Sequence, residues 1–182
     1  DGGTCTVART TLDGRMLVVK RYNLKNARHL LARFWRPSRA WHSWREGHRL
    51  GFLGIPTPAP LALLEERVGP LRRRAFLINE FCPGPSLLDY LAPDKEPEAE
   101  VGRATVSLFR ILCDNRISHG DLKATNLLWH DGKVFVIDLD AVLQHRSASA
   151  FARAWQRDRA RLLRNWPATS ALCQWLDRHL PT

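Results

Sequence analysis

The sequence lacks a hydrophobic run of the roughly eighteen residues that a membrane-spanning helix requires. No signal peptide is visible, because residues 1–4 are polar and include no methionine, and we expect a further segment upstream of them. None of the four cysteines lies in a C-x-x-C pair, which argues against a zinc ribbon or a redox motif. Scattered cysteines are typical of a reducing compartment, and we expect four buried, unpaired thiols. These are Cys5, Cys82, Cys113 and Cys173.

Acidic residues are also scarce: 18 Asp and Glu stand against 28 Lys and Arg, for a net charge of +10. The segment Arg15–Arg49 contains ten basic residues and one acid, Glu46, and a second basic stretch spans Arg153–Arg164. A positive field favours polyanionic partners, namely nucleic acid, anionic lipid or a phosphorylated substrate. A solvated basic surface that serves solubility explains the same charge equally well.

Hydrophobic residues make up 45% of the 182 residues, which is enough for a core and argues against a disordered chain. The length suits one domain with two small lobes around a cleft. Strand and helix signals are mixed before residue 81 and mostly helical after residue 85, so the N-terminal lobe is expected over 1–80, the connector over 81–85 and the C-terminal lobe over 86–182.

The pattern of turns and apolar residues predicts the individual elements. In the first lobe we expect a hairpin from Thr4 to Arg21 with a turn at Asp13-Gly14, helices over 25–35 and 38–53, and strands over 60–64 and 75–80 separated by a charged turn. In the second lobe we expect helices over 86–91 and 97–115, a loop over 117–126, a hairpin over 127–137 and helices from 149 onward.

The residues that indicate chemistry lie in the loop 117–126 and at Asp138, seventeen positions after Asp121. Phosphoryl transfer needs a carboxylate beside the attacking hydroxyl, and Asp121 is suited to that task. Magnesium prefers hard oxygen ligands, which Asn126 and Asp138 can supply. The ammonium of Lys123 can make an electrostatic contact with the transferred phosphoryl group. Taken alone, the three polar residues could instead be turn formers and caps.

This segment resembles the catalytic loop of kinases, H-x-D-L-K-x-x-N, with Asp138 in the place of the magnesium-binding Asp of D-F-G. The resemblance implies a bilobal protein-kinase-like fold of the α+β class, with a β-rich N-terminal lobe and a reduced helical C-terminal lobe. It also implies ATP as phosphoryl donor and Mg²⁺ as its metal. His119 is expected to buttress the loop rather than to act as a base.

Upstream residues extend the resemblance. Val18-Val19-Lys20 is similar to the V-A-I-K strand, whose lysine grips the α- and β-phosphates, and Glu46 to the acid that orients this lysine. A plain helix pair of Glu46 with Arg49 is the alternative. Residues 80–83 resemble the hinge that holds adenine through the backbone. The nucleotide-binding positions implied here are Lys20, Glu46, Gly2, Gly3, Val7, Glu80, Phe81 and Cys82.

The sequence also departs from the kinase pattern. Gly120 replaces the arginine of H-R-D, which implies that control through a phosphorylated activation loop is absent. Asp140 replaces the glycine of D-F-G, and no A-P-E motif follows. Only Gly2, Gly3 and Val7 represent the glycine-rich loop, and the first strand is expected to be missing.

Finer motifs resemble the bacterial lipopolysaccharide core kinases, the Kdo and heptose kinase family. They are Lys20-Arg21-Tyr22-Asn23, Ser38-Arg39-Ala40-Trp41, Gly54-Ile55-Pro56-Thr57-Pro58 and Asp158-x-x-Arg161-Leu162-Leu163-Arg164. This resemblance implies transfer of the γ-phosphate of ATP to a hydroxyl of an inner-core sugar at the cytoplasmic face of the inner membrane. A lipid-linked core sugar and an anionic membrane surface are then the expected partners, and nucleic acid is not.

Two features leave alternatives open. The tryptophans Trp35, Trp41 and Trp44, interleaved with arginines, could lie at a membrane interface or pack within the protein. The same fold could also serve an atypical protein kinase or a small-molecule or antibiotic phosphotransferase. A non-catalytic pseudokinase or basic binding module is a third hypothesis, against which the intact set of Lys20, Asp121, Asn126 and Asp138 argues.

Overall fold

The computed structural model describes residues 5–23, 37–69 and 71–182. They form two compact units: the described residues up to Arg49 together with those of 58–81, and residues 50–57 together with 82–182. The elements of the first part are β1 (Cys5–Leu12), β2 (Arg15–Tyr22), α1 (Arg39–Phe52), β3 (Pro60–Val68) and β4 (Leu71–Glu80). Those of the second are α2 (Leu87–Tyr90), α3 (Ala99–Asp114), β5 (Ile117–Ser118), β6 (Leu127–His130), β7 (Lys133–Val136), β8 (Leu143–Gln144), α4 (Ala148–Leu163) and α5 (Ala171–His179).

The first unit is built on an antiparallel sheet with the strand order β1-β2-β4-β3. The Asp13-Gly14 turn joins β1 and β2, as the sequence predicted, and places Val7 opposite Lys20. Helix α1 packs on the sheet through Ala40, which is buried with Tyr22 of β2. The expected helix over 25–35 lies outside the described residues, as do Gly2 and Gly3.

The charged segment between β3 and β4 corrects one expectation. It was expected to be a turn over 65–74, but β3 runs to Val68 and β4 begins at Leu71. The charged ends of long side chains can stay solvated on either face of a hairpin. A run of charged residues therefore does not by itself end a strand. The ion pairs of Arg67 with Glu65 and of Arg73 with Glu66 lie along this ribbon at 2.7 and 3.4 Å.

Local sequence signals fix both ends of α1. Ser38 caps the first turn, with its hydroxyl accepting a hydrogen bond from the Trp41 amide at 2.9 Å. Gly54 ends the helix with φ +73°, a left-handed conformation that glycine adopts at low cost. The Ile55 amide then donates to the Leu50 carbonyl at 2.9 Å.

The second unit has its own apolar core, in which Phe109 of α3 packs edge-to-face on Trp155 of α4, with ring centroids 5.6 Å apart. Residues 50–57 belong to this core, because Leu50 and Ile55 are buried there. The segment continues alongside β7, where the Val136 amide donates to the Pro56 carbonyl at 2.8 Å and the Thr57 hydroxyl donates to the Val136 carbonyl at 2.8 Å.

The cysteines are free thiols, as expected, but only Cys82 and Cys173 are buried, whereas Cys5 and Cys113 are partly exposed. Burial, aided by the neighbouring charge of Asp114, raises the pKa of Cys113 to about 11. Within the described ranges, no helix is both long and apolar enough to cross a bilayer.

Candidate active site

Two hydrogen bonds tie the loop that follows β5 to the end of β7, and a third lies within the loop. The His119 ring bonds the Ile137 carbonyl through Nε2 at 2.9 Å, and the Ile137 amide donates to the Asn126 carbonyl at 3.0 Å. The amide group of Asn126 donates to the Asp121 carbonyl at 2.9 Å. His119 is buried, so the structure agrees with a supporting role for this ring. These bonds hold Asp121, Asn126 and the residue before Asp138 in one network.

A buried carboxylate fixes the backbone just before Asp121. Asp158 of α4 is only 2% exposed. Its Oδ2 accepts a hydrogen bond from the His119 amide at 2.6 Å, and the Gly120 amide donates to both carboxylate oxygens at 3.0 Å. Hydrogen bonds from backbone amides stabilise a buried carboxylate that would otherwise be costly to desolvate. Asp158 therefore orients the peptide groups that immediately precede Asp121.

Gly120 stands where protein kinases have an arginine, and its surroundings explain the change. Its φ is +79°, and a Cβ atom there would lie 2.7 Å from both the Cβ and the carbonyl oxygen of Ala141. Both distances are too short for a real side chain. This tight approach keeps the loop against the 3₁₀ turn Leu139–Ala141, which directly follows Asp138.

Two cations hold the carboxylate of Asp121. Lys123 Nζ donates to Oδ2 at 3.0 Å, and Arg161 Nη1 of α4 donates to Oδ1 at 2.7 Å. Arg161 also donates to the Gly120 carbonyl at 2.8 Å. Burial raises the pKa of Asp121, but the Lys123 hydrogen bond and the charges of Lys123 and Arg161 outweigh it, so the pKa lies below its usual value. Asp121 is thus ionised and fixed in one orientation.

Asn126 and Asp138 are hard-oxygen side chains of the kind that magnesium prefers. Since the Asn126 amide nitrogen donates to the backbone, Oδ1 is the atom left to act as a ligand. Asp138 has a left-handed backbone, with φ 59° and ψ 63°, which turns the chain at the end of β7. Across the described part of the chain, no three His, Cys, Asp or Glu side chains cluster as a metal site of their own. The donor set fits a hard cation that also draws ligands from phosphate oxygens.

The other expected nucleotide-binding residues lie largely in the first unit. Lys20 sits on β2 opposite Val7, and its Nζ lies 5.2 Å from the centre of the Tyr22 ring. Glu46 is 1% exposed and accepts hydrogen bonds from Arg45 at 2.9 Å and from Arg49 at 3.0 Å. The helix pair of Glu46 with Arg49 that the sequence left open is therefore present. The role of Glu46 toward Lys20 stays a prediction.

The expected hinge begins at the end of β4. The Glu80 amide donates to the Ala59 carbonyl at 3.0 Å, and the Phe81 amide donates to the Met16 carbonyl at 3.2 Å. Both donors are thus committed to the first unit. Cys82 belongs to the second unit and is buried. Adenine recognition by Glu80, Phe81 and Cys82 stays a prediction.

Sequence reasoning did not assign Asp158 and Arg161 to the site. Both belong to the Asp158-x-x-Arg161 motif, which is 37 to 40 residues beyond Asp121. Their spacing of three places them on neighbouring positions of one helix face. That spacing could have indicated that the two residues act together, but only the fold shows that this face of α4 contacts the loop that carries Asp121.

A comparison with known protein families identifies the family of this chain. Residues 1–178 match the model of the lipopolysaccharide kinase (Kdo/WaaP) family. The chain belongs to this family. The expected resemblance to lipopolysaccharide core kinases is thereby confirmed, and the family is one of kinases.

Two individual proteins extend the comparison. A 3-deoxy-D-manno-octulosonic acid kinase of Mannheimia succiniciproducens is 34% identical over 97 residues, which are 51% of this Kdo/WaaP-family chain and 40% of that protein. A solved structure of WaaP in complex with acyl carrier protein superposes with a TM-score of 0.61 at 22% identity, covering 87% of this chain and 66% of that one. The chain thus spans less than two thirds of the length of each. The structural likeness confirms the α+β, protein-kinase-like fold.

Proposed function

We propose that the protein is an ATP-dependent kinase that transfers the γ-phosphoryl group to a hydroxyl of a lipopolysaccharide inner-core sugar, Kdo or heptose. The observation that supports this most directly is the ionised Asp121, held by Lys123 and Arg161 on a loop that Asp158 fixes. Membership of the lipopolysaccharide kinase family supports the acceptor class.

The proposed reaction is a displacement at phosphorus. The acceptor hydroxyl oxygen forms a bond to the γ-phosphorus, the bond from that phosphorus to the bridging oxygen of ADP breaks, and the hydroxyl proton passes to Asp121. A carboxylate whose pKa is lowered is a weak base, so its main task is to orient the hydroxyl, and it takes the proton late. The ammonium of Lys123 adjoins this carboxylate and can stabilise charge on the transferred phosphoryl group.

Mg²⁺ supplies charge neutralisation of the triphosphate, and Asn126 and Asp138 are its proposed protein ligands. Lys20 is proposed to bind the α- and β-phosphates, with Glu46 orienting it. The glycines Gly2 and Gly3 and the side chain of Val7 are proposed to cover the phosphates. Val7 is suited to this because it is exposed and lies opposite Lys20 in the sheet.

We also propose that the protein works at the cytoplasmic face of the inner membrane as a peripheral protein. The net charge of +10 supports this, because basic residues are attracted to anionic lipid surfaces by roughly 1 kcal/mol each. On α1, Trp41 is 42% exposed and is flanked by the exposed Arg39 and Arg45. Trp44 instead packs against the first unit's core, so it is not available as an anchor.

The test is Asp121→Asn in the full-length protein. Loss of the carboxylate should reduce phosphorylation of deacylated core oligosaccharide by about 10²- to 10⁴-fold while Mg²⁺–ATP binding survives. Asp114→Asn, at an exposed position on α3, is the matched control and should retain activity. Mass spectrometry of the oligosaccharide reads the product. Wild-type turnover by the Asp121 variant, or labelling of a generic protein substrate with the sugar unmodified, contradicts the proposal.

A further inference from the structure

Helix α4 has an exposed row of arginines that the chemistry described so far does not use. Arg153, Arg157 and Arg164 are all exposed, and Arg164 keeps a helical backbone as the C-terminal cap. Because each residue turns an α-helix by about 100°, these positions fall within roughly 40° of one another around the axis. The opposite face of the helix is buried through Ala154, Trp155, Asp158 and Leu162. We call the three residues the α4 arginine row.

The described residues provide no acidic partner for this row. Within the part of the chain that the structure describes, none of Arg153, Arg157 and Arg164 forms an ion pair. Other arginines of the second unit do: Arg159 pairs with Asp177 at 2.7 Å and Arg178 with Glu96 at 3.1 Å. Like charges on neighbouring helix turns repel and destabilise a helix. A row of unneutralised cations is therefore ready to receive an anion.

The row leads to the reacting carboxylate. Arg161 lies between Arg157 and Arg164 in the sequence of α4, and its guanidinium bonds Asp121 at 2.7 Å. From Arg153 to Arg161 the helix rises by about 12 Å, at 1.5 Å per residue. An acceptor whose hydroxyl lies at Asp121 would thus have more than one cation along its length.

The neighbours of the row indicate what kind of anion fits. A helix that lies on a membrane has large apolar side chains beside its basic ones. The exposed residues next to this row are Ala152, Gln156 and Ala160, which are too small or too polar to enter a bilayer. The surface is accordingly suited to an acidic molecule in solution above the membrane rather than to the membrane itself.

We propose that the α4 arginine row binds the carboxylate or phosphate groups of an acidic oligosaccharide acceptor while its hydroxyl lies at Asp121. This inference rests on the proposed function and adds the surface that selects an acidic saccharide. Charge on the acceptor is recognised through several exposed pairs of modest strength. The attraction is weakened by salt, because exposed charges are screened within about 8 Å at physiological ionic strength.

The test compares two triple variants of the full-length protein. R153Q/R157Q/R164Q removes the row, and R103Q/R110Q/K133Q removes the same charge from exposed, unpaired positions on α3 and β7. The probe is deacylated, phosphorylated inner-core oligosaccharide. The row variant should raise the KM for this probe about tenfold, with the KM for ATP within about twofold of wild type. The control variant should change both by less than about twofold.

Two further measurements complete the test. R153K/R157K/R164K keeps the positive charge and should recover most of the affinity for the probe. For every variant, a melting temperature equal to that of wild type shows that the protein is folded. Direct titration of the oligosaccharide without ATP separates binding from turnover. If wild type binds the probe through the row but does not phosphorylate it, the proposed function fails, whereas recognition of an acidic saccharide by the row stands. Equal probe affinity for wild type and the row variant overturns the inference. It is also overturned if the row variant binds the probe normally and loses only its co-sedimentation with phosphatidylglycerol vesicles.

Discussion

Arg161 and Asp121 lie 40 residues apart in the chain, and their side chains meet in a hydrogen bond of 2.7 Å from Nη1 to Oδ1. Together with Lys123 on the other carboxylate oxygen, this contact keeps the pKa of Asp121 below its usual value, although burial opposes it. A charged side chain on a distant helix thereby helps Lys123 to keep a loop carboxylate ionised. The contact also gives α4 a part in the site that the catalytic-loop motif does not mention.

Arg161→Gln should move the acidic limb of the activity profile. Removing a cation destabilises ionised Asp121, so its pKa rises and the carboxylate becomes protonated at a higher pH. The acidic limb of kcat/KM should therefore shift to higher pH, and Arg161→Lys should restore part of that shift. Arg110→Gln, at an exposed position on α3, is the control. An acidic limb identical to that of wild type would show that Arg161 does not tune Asp121.

The same contact affects stability in a defined pH range. The folded-state pKa of Asp121 is depressed, so its ionised form stabilises the folded protein above the pKa of the unfolded carboxyl group. This contribution is lost as the pH falls through the folded-state pKa. Arg161→Gln should reduce it, so the stability difference between this variant and wild type should shrink as the solution is acidified. Denaturant unfolding between neutral and acidic pH measures this difference.

Asp158→Asn should destabilise the second unit. The buried carboxylate accepts hydrogen bonds from the His119 and Gly120 amides on its two oxygens, whereas a carboxamide keeps one acceptor oxygen and its nitrogen, at the position of Oδ1, would face the Gly120 amide donor to donor. An unsatisfied buried group of this kind costs about 1–3 kcal/mol in the free energy of unfolding. Asp177→Asn removes an exposed ion pair with Arg159 and should cost less than about 1 kcal/mol. Equal losses for the two variants, measured in urea, would contradict the role assigned to Asp158.

Gly120→Ala tests the tight approach to the turn after Asp138. The new methyl group would lie 2.7 Å from Ala141, so the loop must move and activity should fall sharply. Gly54→Ala is the matched control, because its φ of +73° resembles the +79° of Gly120 but nothing lies within 4 Å of the added Cβ. That control should lose only the roughly 1–2 kcal/mol that a left-handed alanine costs. Unfolding and turnover of both variants separate backbone strain from the clash, and equal losses would rule the clash out.

Much of the secondary structure followed from local signals in the sequence. The hairpin at Asp13-Gly14 and the helix expected over 38–53 depend on residues close to them, and both are observed, the helix with a cap at Ser38 and an end at Gly54. The segment 65–74 was wrong because its charge suggested a turn, whereas strand pairing decides where a hairpin ends. The placement of Asp121 with Asn126 likewise followed from a contiguous motif.

The remaining parts of the site depend on contacts between distant segments. Nothing in the motif around Asp121 indicates that Asp158 would fix its backbone or that Arg161 would reach its carboxylate, because both contacts require α4 to pack beside the loop. The pairing of Glu46 with Arg45 is equally a matter of side-chain conformation. Sequence spacing predicts which residues share a helix face, but not which other segment that face meets.

The second unit is not continuous in the sequence, because residues 50–57 belong to it although residues on both sides belong to the first unit. Exchange of complete halves between related kinases at residue 82 would therefore mismatch Ile55 with its apolar neighbours and Thr57 with Val136. A recombinant that carries the eight residues along with their own C-terminal half avoids this mismatch. Substitutions in that short stretch and in the far larger C-terminal half are accordingly expected to depend on each other.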